Sequence, residues 1–196
     1  MKVHVAPPKG KLEKVQYEAW LITNGFEPIW LNKRHRKIKH PLILCGGADI
    51  GKDSERDLLE IKWITWALDA NQPIIGICRG MQILNKYFGG DVLDLEEPIV
   101  ESHAAGDFSK AESHIEKRSQ YHFVYDNDGT KMWVNSRHHQ YCIPVAPNFE
   151  VTHWTEDKFV VEGIADENRQ IWAVQWHPER CESDDNYYPL NKLFAK

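Results

Sequence analysis

The chain has 196 residues, enough for one full-sized domain. Apolar residues make up 42% and charged residues 27%, ordinary globular usage that argues against a disordered or fibrous chain and needs no disulfide or metal staple. Lys and Arg total 24 against 29 Asp and Glu, and the resulting net charge of −5 argues against a dedicated nucleic-acid binder.

The first eight residues lack the apolar run of a signal peptide, and no window approaches the roughly 18 apolar residues of a membrane helix. A cytoplasmic protein with four reduced, scattered cysteines is expected. Lys2 to Ala6 reads as a strand stopped by Pro7-Pro8. Leu12, Val15, Ala19 and Ile22 recur at helical spacing and predict a helix that buries this stripe and ends at Asn24-Gly25. Phe26 to Leu31 suits a second strand. The basic run between Asn32 and His40 reads as a solvated loop in preference to an anion-binding patch.

Leu42 to Cys45 is a continuous apolar run ending in Gly46-Gly47, the pattern of a strand buried on both faces. Asp53 and Ser54 are N-caps for a helix whose inner face is expected to carry Leu58, Ile61, Ile64 and Leu68. Pro73 to Ile77 is the next buried strand, and Met81, Leu84 and Phe88 mark the helix after it. Strands alternating with helices predict a doubly wound α/β fold with a mostly parallel sheet. Residues 94–119 are polar and read as a surface excursion. The second half is strand-rich, with segments at Tyr121–Tyr125, Lys131–Val134, Phe149–Trp154, Phe159–Ile164 and Ile171–Gln175, and Tyr187–Ala195 reads as a closing helix. No linker interrupts the chain, so residues 1–196 are expected to form a single domain.

Gly76-Ile77-Cys78-Arg79-Gly80 lies where a buried strand hands over to a helix, the cysteine counterpart of a nucleophile elbow. Flanking residues without a Cβ let the chains pack closely, and the helix N-terminus favours a thiolate. A thiol nucleophile needs a histidine to carry its proton and a group to hold that histidine. Trp176-His177-Pro178-Glu179 supplies both at the end of the last apolar strand, since alternate residues of an extended chain project to one side. The N–H groups of Gly47 and Arg79 are candidates for an oxyanion hole.

Gly76 to Gln82, Gly46-Gly47 and His177-Pro178-Glu179 together resemble the class I glutamine amidotransferase superfamily. Arg56-Asp57 with Glu60, and Val134-Asn135-Ser136-Arg137-His138-His139-Gln140, are similar to its gamma-glutamyl hydrolase branch, which includes the gamma-glutamyl-gamma-aminobutyrate hydrolases. The resemblance implies a flavodoxin-like sheet with helices on both faces and a cysteine-dependent hydrolase with a Cys-His-Glu triad. Such an enzyme would release glutamate from a gamma-glutamylated amine or nucleotide amidate through a glutamyl thioester. Cys78 would be the nucleophile, His177 the general base and acid, and Glu179 its orienter. Gly47 and Arg79 would form the oxyanion hole, and Gln82, Ser136, Arg137, His138 and His139 would hold the glutamyl group.

The alternative is a glutaminase subunit that delivers ammonia to a separate synthetase partner. Further expectations are no cofactor, no metal, no nucleic acid and no membrane, with a small-molecule gamma-glutamyl substrate and a homodimer as the partners considered. Adjacent histidines cannot readily face one metal, so His138 and His139 are read as substrate or core residues. Arg56, Asp57 and Glu60 are read as support for the elbow, and activity is expected to fall in acid as His177 takes up a proton.

Overall fold

The structure, a computed structural model, describes residues 1–96, 99, 120–181 and 188–194. Five strands form a parallel array: β1 (Lys2–Ala6), β2 (Glu27–Trp30), β3 (Leu42–Leu44), β4 (Ile74–Ile77) and, from the far end of the chain, β11 (Ile171–Val174), in the order β2-β1-β3-β4-β11. The sheet then continues with antiparallel strands β10 (Val161–Asp166), β9 (Glu150–Thr155), β6 (Gln120–Asp126) and β7 (Lys131–Ser136). The expected α/β class and flavodoxin-like winding are present, and the strand-rich second half extends the same sheet. Two short strands absent from the sequence reading, β5 (Val92–Asp94) and β8 (Gln140–Cys142), pair with each other. They are too short to carry a periodic signal.

The central strands alternate between two buried faces, as the two-residue period of a strand requires. Leu42, Leu44 and Ile74 pack with Trp63, Ile64, Met81 and Leu84, beneath helices α2 (Ser54–Asp69) and α3 (Arg79–Tyr87). Ile43, Ile75 and Ile77 pack on the opposite face with Tyr17, Trp20 and Leu21 of helix α1 (Lys11–Thr23). As expected, α2 starts at Asp53, whose carboxylate accepts the Arg56 N–H at 3.2 Å.

Both predicted helix faces require correction. In α1 the expected stripe points outward, with Leu12 70% exposed and Val15 and Ile22 each 59% exposed, while Tyr17, Trp20 and Leu21 are buried. The aromatic pair removes more area from water, and the Tyr17 hydroxyl has a partner inside, accepting the Gly46 N–H at 2.9 Å. In α2, Leu58 and Ile61 face outward and Asp57 and Glu60 face inward with Trp63, Ile64 and Ala67. Those carboxylates turn in because the buried Arg79 guanidinium lies beneath them, paired with both.

The basic run is an exposed loop, as read, in which Arg36 bonds the Lys33 and His35 carbonyls. Most of the expected 94–119 excursion lies outside the described residues, and so do both ends of the expected closing helix. The described part of that helix is one 3-10 turn, Leu190–Leu193. No helix among the described residues is long and apolar enough to cross a membrane, and among them no group of three His, Cys, Asp or Glu side chains is placed to hold a metal.

Candidate active site

Cys78, His177 and Gly46-Gly47 follow the C-terminal ends of β4, β11 and β3. These are three neighbouring parallel strands, and open α/β sheets gather ligands at that edge. Cys78 has φ 52° and ψ −108°, a left-handed conformation that is strained for a residue with a Cβ. Its N–H bonds the Val174 carbonyl at 2.7 Å and its own carbonyl receives the Met81 and Gln82 N–H groups, so strand, helix and neighbouring strand all hold the turn. The flanking glycines are sterically required. A Cβ on Gly80 would stand 2.2 Å from the Leu44 carbonyl oxygen, and one on Gly76 would stand 2.7 Å from the Gly80 backbone.

His177 and Cys78 line the same cleft, and the His177 Nδ1 lies 2.6 Å from Glu179 Oε1. Burial works against a charged imidazole here, but Glu179 and Cys78 outweigh it and raise the His177 pKa to about 9. Burial likewise opposes the charge on Glu179, and the adjacent imidazolium holds that carboxyl below its ordinary value. Cys78, His177 and Glu179 thus stand close enough for their charges to act on one another.

Asn135, on β7, clamps the histidine from behind. Its Nδ2 donates to the His177 carbonyl at 2.7 Å and its Oδ1 accepts the His177 N–H at 3.1 Å. The sequence reading of the 134–140 motif assigned Ser136 to His139 to the substrate and gave Asn135 no role. The signal was an asparagine inside a motif, with nothing local to say which backbone it would meet.

A cleft of about 290 Å³ opens over the sulfur, lined by Lys9, Glu13, Tyr17, Gly47, Arg137 and Arg180 as well as Cys78 and His177. A larger hollow of about 690 Å³ lies beside Tyr121, Phe123 and Trp133, away from the thiol. The Gly46 N–H is occupied by Tyr17, whereas nothing among the described residues accepts the Gly47 N–H. Arg79 opens α3, where an N–H has no intrahelical acceptor. Gly47 lines the same cleft as Cys78, and Arg79 follows Cys78 in the chain.

The expected glutamyl contacts divide. Arg137 lines the cleft, where burial first and the Arg180 guanidinium second lower its pKa from the ordinary value. Gln82, Ser136 and His138 are buried and lie outside the cleft lining. His138 Nε2 is 3.4 Å from the buried Glu162, whereas His139 faces outward and pairs with Asp49 at 3.2 Å, so the two histidines do not share a side. No residue of the basic run at 33–39 lines the cleft, and its cations come from Lys9, Arg137 and Arg180.

A buried ion network ties the two halves of the site together. Arg56 donates to the Cys45 and Gly46 carbonyls at 3.1 and 3.0 Å and to Glu60 at 2.8 Å. Glu60 and Asp57 in turn pair with the Arg79 side chain, and Asp57 also accepts the Gly51 N–H at 2.8 Å. The loop after β3 and the helix after Cys78 are thus fixed relative to each other, the support expected of these residues. Cys45 and Cys142 are buried thiols, and burial pushes both pKa values up.

The chain is similar to known proteins along most of its length. It is 31% identical over 167 residues to the glutamine amidotransferase-like protein YvdE of Lactococcus lactis, covering 75% of this chain and 69% of that protein. A GMP synthase [glutamine-hydrolyzing] of Listeria monocytogenes is 34% identical over 111 residues, 57% of this chain but 19% of the synthase. A glutamine amidotransferase structure from Thermotoga maritima superposes with a TM-score of 0.67 at 17% identity, over 91% of this chain and 76% of that one, which shows a shared fold. With residues 45–179 matching Peptidase C26, a span that runs from the end of β3 through Cys78 to Glu179, the chain belongs to that family of glutamine amidotransferase-like hydrolases.

Proposed function

We propose that the protein cleaves a gamma-glutamyl amide by covalent catalysis at Cys78 and releases glutamate. The observation that carries this reading is that Cys78, on a strained elbow, shares one cleft with a His177 paired to Glu179. The thiolate attacks the gamma-carbonyl carbon and the carbonyl electron pair moves to oxygen, facing the N–H groups of Gly47 and Arg79. Collapse breaks the C–N bond as His177 gives its proton to the leaving nitrogen, which departs as the amine and leaves a glutamyl thioester. Neutral His177 then takes a proton from water, whose oxygen adds to the thioester. Collapse of that adduct returns the Cys78 thiolate and frees the gamma-carboxylate. Arg137, in the cleft, contacts the substrate directly, and Gln82, Ser136 and His138 shape the wall behind it.

The second reading, a glutaminase subunit that passes ammonia to a synthetase, draws its support from the similarity to a GMP synthase over 111 residues. A panel of gamma-glutamyl amides and free glutamine, followed by glutamate release, separates the two. The hydrolase reading expects turnover of an amide other than glutamine with no partner added. Activity confined to glutamine and stimulated by a synthetase supports the other reading. Cys78→Ala should lower kcat by about 10⁴-fold or more, whereas Cys142→Ala should change it less than about threefold. Equal losses from the two substitutions would overturn the assignment.

A further inference from the structure

Behind the sulfur, on the side away from the cleft, lie two side-chain amides that the reaction scheme does not use. Gln175, the residue after β11, is fully buried, and its Nε2 is 3.6 Å from Cys78 Sγ. Its Oε1 is 3.3 Å from Gln82 Nε2, and Gln82 Nε2 is also 3.4 Å from the Gln140 carbonyl oxygen.

This chain decides which way each amide points. A backbone carbonyl only accepts hydrogen bonds, so the end of Gln82 that faces Gln140 must be its NH₂. The Gln175 atom that meets that NH₂ must then be oxygen, which turns the Gln175 NH₂ toward the sulfur. Flipping either amide would set two donors or two acceptors against each other in a buried place, at the cost of unpaired polar groups. The Gln175 main chain is held in place, its N–H bonded to the Glu162 carbonyl at 2.8 Å and its neighbour Val174 receiving the Cys78 N–H at 2.7 Å, and its side chain is enclosed on all sides. A donor that faces sulfur stabilises the thiolate more than the thiol, since the negative form is the better acceptor.

We infer that Gln175 is a further catalytic residue, one that donates a hydrogen bond to the Cys78 sulfur and keeps it in the nucleophilic thiolate form, with Gln82 and the Gln140 carbonyl setting its orientation. This deepens the proposed function and rests on Cys78 as nucleophile. The other titratable groups around the sulfur are His177, Tyr17, Arg137, Lys9, Glu13 and Arg180, which line its cleft, and the buried Cys142, whose charge couples to it. Of these, His177 lies on the proton-transfer side, so loss of the Gln175 donor should change the thiolate without removing the proton carrier.

The test reads the sulfur itself. Iodoacetamide alkylation of Cys78 is followed by mass spectrometry of its peptide across pH 5–9 in the full chain and in Gln175→Leu and Gln175→Glu. Both variants should alkylate more slowly at neutral pH, by about ten- to a hundredfold. Their profiles should move to higher pH by about one unit or more, further for Glu than for Leu. Turnover should fall through kcat with KM changed less than twofold. Folded variants with the parent's alkylation profile would overturn the inference.

If neither variant folds, the unsubstituted protein decides. The assigned side-chain amide resonances of Gln175 should shift when Cys78 is alkylated, and no shift would equally overturn it. Because alkylation is measured without substrate, this result is separate from the function: an active Cys78→Ala protein would sink the hydrolase reading whatever Gln175 does.

Discussion

At the sulfur the decisive quantity is which proton sits on His177. With its pKa raised to about 9, the imidazole is charged throughout the neutral range. The sequence expectation of an acid limb from His177 at its ordinary value is therefore replaced by an alkaline one. The profile of kcat/KM against pH should fall above about 9, as the proton needed by the leaving nitrogen is lost. Glu179→Gln removes the strongest influence that favours the charge and leaves burial to oppose it. That limb should then move down by more than about one pH unit, and kcat should fall by roughly 10²–10⁴-fold. A parent-like profile in this variant would mean that the carboxylate does not hold the imidazolium. The pairing of residues 177 and 179 was readable from an extended His-Pro-Glu, because the two side chains are nearly adjacent in the chain. The cleft shared with Cys78 was not, since Cys78 and His177 are joined only through the sheet.

Among the elements, the junction of β3, α2 and α3 joins the Cys78 elbow to the buried Asp57, Glu60 and Arg79. Arg56→Leu leaves the Glu60 carboxylate without one partner in a place of no exposure, so it should destabilise the fold by about 3–5 kcal/mol in a urea melt. The exposed pair Lys86–Asp91, at 2.7 Å, is the control, and Lys86→Ala should cost less than about 1 kcal/mol. Similar losses from the two would mean that burial does not set the cost. Gly80→Ala should lower stability by about 1–3 kcal/mol and turnover as well, because its Cβ meets the Leu44 backbone 2.2 Å away and the elbow must move off β3. The elbow was legible because its glycines stand beside the cysteine they serve. The inward faces of α1 and α2 were not, because periodicity marks an apolar stripe without weighing a tyrosine's internal partner or an arginine lying opposite.

Across the whole molecule, the raised His177 pKa links stability to pH. The folded form binds this proton more tightly than the unfolded chain, so the contribution is complete below the ordinary value of 6.5 and is lost as pH rises toward 9. His4 and His153, lowered to about 4, act in the opposite direction from about pH 4 upward, an effect that fades within about one unit above 6.5 as the unfolded histidines lose their protons. Denaturation midpoints in urea should therefore drop as pH is raised from 7.5 to 8.5, and His177→Gln should flatten that drop; an unchanged slope would point to another group. The linear order of residues was enough to place the strands of the parallel half, the elbow, the His-Pro-Glu turn and the family resemblance, since each is written in near neighbours whose sterics and charge act locally. Folding in three dimensions alone set the order β3-β4-β11 that brings Cys78 to His177, the Asn135 clamp and the amide chain behind the sulfur. Those contacts join segments about 30 to 100 positions apart, and which distant partner completes a buried hydrogen bond or ion pair depends on the packing of the whole sheet.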